Sequence, residues 1–378
     1  MMKKRMLMVV ADDLTGAAEI AGIAIRYSLR TTLVMKPSAT AIDEDIDVLV
    51  VATDMRSMSE QKAVAVLSSM LHPIASRIHD GSLQLFKKTD SALRGHIMAE
   101  TDAMLKSLGL HTAVLIPQNP SKGRIIDQGH YYIDGTPLHE TSFAYDPEFP
   151  ATSSSTDTLL KGSRRLGVGD DMAEQAYENA IYIADATNRD DISRQLEKCG
   201  ADCLIGGGAD CFDAFLKASG QKPCAQQPIH GHLPQDDLLV VCGSTQNMPT
   251  GLTATDISMP DDVFHGSSPE EWITRLVDEY KKDRRLVIRV GNHRNAGRQY
   301  AVRLKQTMAV ATCHIVEHCR PKTIVIEGGA TAFAILSRLQ WTNLTVEKEL
   351  APGIVSLIHA DDHHTTNLIL KPGSYSWK

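Results

Sequence analysis

Two periods alternate along this chain. Short apolar runs at residues 6–10, 48–52, 83–87 and 112–116 have the length and side chains of buried strands. Between them, residues 17–27, 60–77 and 100–108 repeat apolar positions at helical spacing, and residues 32–35 read as a further strand. The order strand, helix, strand, helix predicts a mostly parallel sheet with helices on both faces.

The pattern changes over residues 117–161, which are rich in Pro, Gly, Ser, Thr and aromatic side chains. There Tyr131-Tyr132-Ile133, Asp134-Gly135 and Thr136-Pro137-Leu138 predict a hairpin, and residues 152–156 form a polar connection. Strands return at 180–184 and 201–205, the latter running into Gly206-Gly207-Gly208 and a helix to Lys217. Residues 219–235, rich in Gly, Gln, Pro and His, mark the expected domain boundary. Beyond it, strands are expected at 238–241, 286–290, 323–326 and 368–371, with a helix at 330–339. The expected fold class is α/β with two domains, 1–225 and 236–378. Each is a mostly parallel sheet flanked by helices, with a cleft between them.

Length and composition fit that reading. The 378 residues suffice for two domains, and 43% hydrophobic with 22% charged residues is ordinary for a globular protein. A net charge of −7 argues against nucleic acid as the main partner. No apolar stretch approaches the roughly 20 residues a bilayer requires. The basic, apolar start, Met1 to Val10, stops at Ala11-Asp12-Asp13, too soon for a secretory signal, so a cytoplasmic protein is expected. Seven scattered cysteines without a C-x-x-C pair predict neither disulfides nor a zinc site.

Three polar clusters follow three predicted strands. Asp12-Asp13-Leu14-Thr15-Gly16 follows the first, where open α/β sheets bind ligands. Asp13 alone could serve merely as a helix cap. Thr53-Asp54-Met55-Arg56 follows the second, and the Arg56 fork suits a carboxylate. Lys87 to Arg94 follows the third and holds Lys87, Lys88, Thr89, Asp90, Ser91 and Arg94, a candidate cradle for a polar anion. Read singly, the last two clusters could be a surface loop charge and a solvated loop.

Two glycine turns stand in the second half: Cys242-Gly243-Ser244-Thr245, and Glu327-Gly328-Gly329-Ala330-Thr331 before a helix. Glycine lets the backbone approach a phosphate, and a helix N-terminus offers free N–H groups. Gly206–Gly208 is expected only to close the first domain. Neither G-x-x-x-x-G-K-[ST] nor a clear G-x-G-x-x-G is present, which disfavours P-loop enzymes and typical dinucleotide dehydrogenases. His359-Ala360-Asp361-Asp362-His363-His364 has no helical ligand spacing and is expected to be a solvated turn.

The ordered set of motifs resembles the four-carbon acid sugar kinase family, long known as domain of unknown function 1537. The resemblance rests on Ala11-Asp12-Asp13-Leu14-Thr15-Gly16-Ala17, Lys88-Thr89-Asp90-Ser91-x-Leu93-Arg94-Gly95, and the stretch from Gly123-Arg124 to Asp146-Pro147. In the second half it rests on Gly243-Ser244, Gly328-Gly329-x-Thr331-Ala332 and Lys371-x-Gly373. It spans nearly the whole chain. Ala92 stands where the family usually has Thr, and Ala330 where it often has Glu.

The resemblance implies an N-terminal domain for a sugar acid such as threonate, erythronate or 3-oxo-tetronate, and a C-terminal domain for ATP with Mg²⁺. Asp12, Arg56, Lys88, Thr89, Asp90 and Ser91 match substrate positions. Ser244, Gly328, Gly329, Ala330, Thr331 and Gly373 match ATP positions. Arg56 and Lys88 are expected to hold the substrate carboxylate. Asp12 or Asp13 would orient the attacking hydroxyl and take its proton, and Arg94 would offset charge on the transferring phosphoryl group. The partners expected are a small sugar acid and ATP, with no nucleic acid or membrane; a homodimer is a candidate assembly. The alternative is a catalytically weakened sugar-acid sensor of the same fold, because the family usually continues beyond Gly373 with Phe-Gly and a further helix.

Overall fold

The computed structural model describes residues 5–35, 45–146, 148–172, 180–224, 236–243, 254–291, 298–362 and 364–373. The chain divides into two compact units, Met1–Thr31 with Lys36–Cys224, and Thr32–Met35 with Ala225–Lys378.

The first unit starts with β1 (Met6–Ala11), buried along its whole length, and α1 (Leu14–Arg26). The helix begins earlier than its apolar spacing suggests, because Asp13 caps it: the side chain accepts from Gly16 N. After β2 (Thr31–Val34) come β3 (Val48–Ala52), α2 (Glu60–Leu71), α3 (Ala75–His79), β4 (Leu83–Lys88), α4 (Ile97–Leu108) and β5 (Thr112–Ile116). The single helix expected over 60–77 is broken by a 3₁₀ turn at His72–Ile74, where Pro73 lacks the N–H a continuous helix needs.

The expected hairpin forms a small antiparallel sheet of β6 (Arg124–Asp127), β7 (His130–Ile133) and β8 (Thr136–Pro137). The unit closes with α5 (Thr156–Leu159), β9 (Arg164–Leu166), β10 (Ala180–Ala184), α6 (Arg189–Glu197), β11 (Cys203–Gly207) and α7 (Ala209–Ala218). Its main sheet runs β3-β1-β4-β11-β5-β10-β9, parallel throughout. The glycines ending β11 serve packing: a Cβ on Gly207 would lie 2.4 Å from the Ile116 carbonyl, and one on Gly206 2.9 Å from that of Lys87.

The second unit holds β12 (Leu238–Cys242), β13 (Thr255–Ser258), α8 (Asp261–His265), α9 (Glu270–Asp283), β14 (Arg285–Arg289), α10 (Arg298–Cys319), β15 (Thr323–Glu327), α11 (Gly329–Leu339), β16 (Asn343–Ala351), β17 (Ile354–Ala360) and β18 (Thr365–Lys371). Strands β13-β14-β12-β15-β18 are parallel. Antiparallel β17, β16 and β2 extend the sheet, so a short stretch from the N-terminal half of the chain completes this unit. Leu238, Val240, Val287, Val325 and Ile369 form a core cluster on the sheet.

His359 is not in a turn: it lies on β17 with its ring stacked on Trp341, centroids 4.2 Å apart, while His363 is outside the described residues. All seven cysteines are free thiols. Among the described residues, no helix is long and apolar enough to cross a membrane.

Candidate active site

Strand register brings the first three clusters together. Ala11 pairs with Ala52 on one side and with Lys88 on the other, so β1, β3 and β4 end level. The loops that follow leave the sheet in adjacent lanes: the loop after β3 supplies the Arg56 guanidinium, and the loops after β1 and β4 supply the carboxylates around it. Arg56 donates from Nε to Asp12 Oδ2 (2.8 Å), from Nη2 to Asp12 Oδ1 (3.0 Å) and from Nη1 to Asp13 Oδ2 (3.1 Å). Its Nη2 also lies 3.2 Å from Asp90 Oδ2. The fork geometry of arginine makes the Asp12 contact bidentate.

Asp13 has two tasks here. Oδ1 accepts from Gly16 N at 2.9 Å and caps α1, while Oδ2 faces Arg56. Burial raises its pKa above the usual carboxylate value; Arg56 opposes this, and the neighbouring Asp12 charge adds to it. Asp90 moves the other way. Burial alone would raise it, but Arg56 and Arg94 hold its carboxyl far below the usual range. Arg94 donates to both Asp90 oxygens (3.1 and 3.0 Å) and to Asp146 (3.4 Å). Gly95, at φ +95°, lets this loop pass close to Asp12: a Cβ there would sit 3.0 Å from Asp12 Oδ2.

The anion cradle expected from Lys87 to Arg94 divides in two. Successive strand residues face opposite sides, so Lys87 and Lys88 point apart. Lys87 is buried and paired with Glu100 of α4, a structural ion pair. Lys88 is also buried, but its ammonium donates to the Thr89 carbonyl (3.0 Å), and among the described residues its nearest carboxylate, Glu19, is 3.9 Å away. Thr89 Oγ1 is buried without a hydrogen-bond partner among the described residues. Ser91 is engaged: its hydroxyl accepts from Arg124, and its carbonyl from the Tyr131 hydroxyl.

Sequence reasoning missed Glu19 and Lys122. Lys122 donates to Glu19 Oε1 at 2.6 Å, across 103 positions of chain that no local pattern links. Burial would raise the Glu19 pKa, but Lys88 and Lys122 bring it below the usual value. Arg94 and Arg124 both lie over the Phe143 ring, 5.4 and 5.5 Å from its centroid, which ties the 117–161 segment to this cluster.

The second unit has its own level set of strand ends. Cys242 pairs with Glu327, and Glu327 with Lys371. Gly243 follows the first, Gly328 and Gly329 the second, and Gly373 lies two residues past the third; Ser244 lies outside the described residues. Gly328 N donates to the Lys371 carbonyl (2.9 Å) and Gly243 N to that of Glu327 (3.1 Å). Gly328 takes φ +97° and leads directly into α11, whose start has no side-chain cap. Gly329, Ala330 and Thr331 therefore stand in the first turn, where N–H groups lack intrahelical partners.

The space at Gly243 is tight: a Cβ would lie 2.1 Å from Thr331 Oγ1 and 2.9 Å from the Glu327 carbonyl. Glu327 and Lys371 are wholly buried and paired, Nζ to Oε1 3.0 Å. Burial, with Glu327 beside it, pushes the Cys242 thiol up to about 12.

Comparison with known proteins agrees with this division. A family model described as a sugar-binding N-terminal domain matches residues 7–211, and one described as a nucleotide-binding C-terminal domain matches residues 267–375. The chain is 25% identical over 382 residues to a D-threonate kinase from Salmonella typhimurium, spanning 92% of this chain and 90% of that one. It is 27% identical over 269 residues to a 3-oxo-tetronate kinase from Brucella melitensis, spanning 65% and 61% of the two. A crystal structure of a Haemophilus influenzae protein of domain of unknown function 1537 has the same fold, with a TM-score of 0.69, 18% identity, and coverage of 98% of this chain and 97% of that one.

Proposed function

We propose, from the premise that this chain belongs to the four-carbon acid sugar kinase family, that it phosphorylates a hydroxyl of a small sugar acid with ATP as donor. The acid is of the threonate, erythronate or 3-oxo-tetronate type. The observation that carries the reading is the buried Lys88 ammonium at the strand ends. Among the described residues it has one backbone carbonyl within hydrogen-bond reach and no carboxylate closer than 3.9 Å. A buried cation so weakly compensated is costly unless an anion completes its shell. The substrate carboxylate supplies that anion, and Thr89 Oγ1 supplies a further hydrogen bond.

Arg56 acts in this proposal mainly as the fixed centre that positions Asp12, Asp13 and Asp90, because its fork is already turned toward them. Asp13 is the better candidate for proton acceptor. Both Asp12 oxygens face Arg56, whereas burial leaves Asp13 more basic than an ordinary carboxylate. Asp12 orients, and Arg94 offsets charge on the transferring group.

In the second unit, the tight, uncapped turn at Gly243 and Gly328–Thr331 fits a phosphate chain against the N-terminus of α11. Gly373 borders the same strand ends. ATP supplies the phosphoryl group. The Glu327 carboxylate, at the strand end just before Gly328, is neutralised by Lys371, so Mg²⁺ would be held chiefly by phosphate oxygens and water.

A coupled ADP-release assay over a panel of four-carbon sugar acids tests the proposal. ADP release dependent on at least one of them is expected. An acid that binds without any ADP release would move the reading to a sugar-acid sensor.

A further inference from the structure

We propose that His314, Glu317 and His318 on α10 bind a late first-row divalent metal ion, with Zn²⁺ the best match. The stretch His314-Ile315-Val316-Glu317-His318 has the spacing H-x-x-E-H. Residues at i, i+3 and i+4 share one helix face, so three donors rise from a single turn. Their ligand atoms lie within 4.8 Å of one another.

The opposite face anchors the turn: Ala311, Thr312, Ile315, Val316 and Cys319 are buried, and α10 packs against α9 and α11. Glu317 and His318 are exposed and His314 is half-buried, so rotation about their side-chain bonds can draw the ligand atoms onto an ion. Bonds of about 2.0–2.2 Å to nitrogen and oxygen require that contraction.

A second observation prepares the site. His318 Nδ1 donates to the main-chain carbonyl of His314 at 2.8 Å. A carbonyl can only accept, so the ring proton sits on Nδ1, and the lone pair of the neutral ring is on Nε2. An imidazole whose other nitrogen is tied to a backbone carbonyl is oriented and made more basic for a metal. The two rings already lie almost parallel, 5° apart, with centroids 5.8 Å apart.

Two imidazoles and one carboxylate suit zinc, cobalt, nickel or copper, and water would complete a four-coordinate shell. Mg²⁺ prefers an all-oxygen shell, so this site is chemically separate from the metal that accompanies ATP.

The test uses untagged full-length protein, stripped with chelator and titrated calorimetrically with Zn²⁺. Co²⁺ serves as a visible-absorption reporter of ligand geometry. One ion per chain at micromolar affinity, indifferent to millimolar Mg²⁺, is expected. His314→Ala/His318→Ala should lose more than the roughly 10–100-fold that outer-shell changes cost. Its thermal midpoint without metal should stay close to the parent's, since one removed ring is exposed, the other half-buried, and neither belongs to the core. No binding, binding retained in the double variant, or displacement by Mg²⁺ would each overturn the assignment.

Discussion

Asp13→Asn separates the catalytic reading of this carboxylate from its structural one. The cap survives, because Asn Oδ1 can accept from Gly16 N as Asp does now, and the two residues are equivalent as helix caps. The Arg56 Nη1 contact is lost, and a hydrogen bond to a charged group contributes about 1.5–3 kcal/mol. Against that, the change removes what raises the Asp13 pKa: the burial of a charge, and repulsion from Asp12 and Asp90.

The direction follows from linkage. A carboxyl whose folded pKa is raised favours the folded state when protonated and costs stability once pH rises through that pKa. At neutral pH the neutral Asn therefore relieves a penalty. Arg56 also keeps its two bonds to Asp12 and its contact with Asp90. The two effects oppose each other, so the thermal midpoint should move by less than about 10 °C, well below the cost of about 3–5 kcal/mol for breaking a buried ion pair outright.

Turnover should behave otherwise. Loss of a positioned general base lowers kcat by about 10²–10⁴, read as ADP release at saturating ATP and acid. A variant retaining kcat within about threefold would remove Asp13 as base. A midpoint lowered by more than about 10 °C would mean that its main role is structural.

Three further outcomes follow. Arg56→Met leaves Asp12, Asp13 and Asp90 crowded without their shared cation and should cost about 3–5 kcal/mol in chemical denaturation, with Arg56→Lys failing to restore the bidentate contact; a cost under about 1 kcal/mol would show that the cluster does not depend on it. Asp90 and Glu19 have depressed pKa values, set against burial by Arg56 and Arg94 and by Lys88 and Lys122 respectively. Their stabilisation is full above the usual carboxylate range near pH 4 and is lost as pH falls below it, so the thermal midpoint should drop steeply there and less steeply in Asp90→Asn. Gly243→Ala forces a methyl onto Thr331 Oγ1 and the Glu327 carbonyl, an overpacking cost of about 1–3 kcal/mol. It should raise the KM for ATP while calorimetric binding of the acid is unchanged; an unaltered ATP KM would detach this turn from the nucleotide.

Parallel strands are buried on both faces, so β1, β3, β4 and β5 announce themselves as short apolar runs, and the polar loops after them stand out by contrast. That contrast located Asp12, Asp13, Arg56 and Lys88 to Ser91. It could not tell Lys87 from Lys88. The split depends on the two-residue period of β4 together with Glu100, which belongs to a different element. Strand β16 was not legible either, because a strand with one face in water reads as mixed polar sequence: Asn343–Ala351 alternates exposed and buried positions over its first four residues. The pairing of β2 with β16 joins residues about three hundred positions apart, and Glu19 with Lys122 about one hundred, distances at which no spacing rule operates.

The same limit explains why each cluster, read alone, had a bland interpretation as a helix cap, a surface loop charge or a solvated loop. Asp13 does cap α1. What the cap reading omits is Arg56 of the loop after β3, on which the loop after β1 sets two carboxylates and the loop after β4 one, because three parallel strands end in register. The site is thus a property of sheet register: a one-residue slip of β3 against β1 would turn its side chains to the opposite face and shift the loop carrying Arg56 away from Asp12.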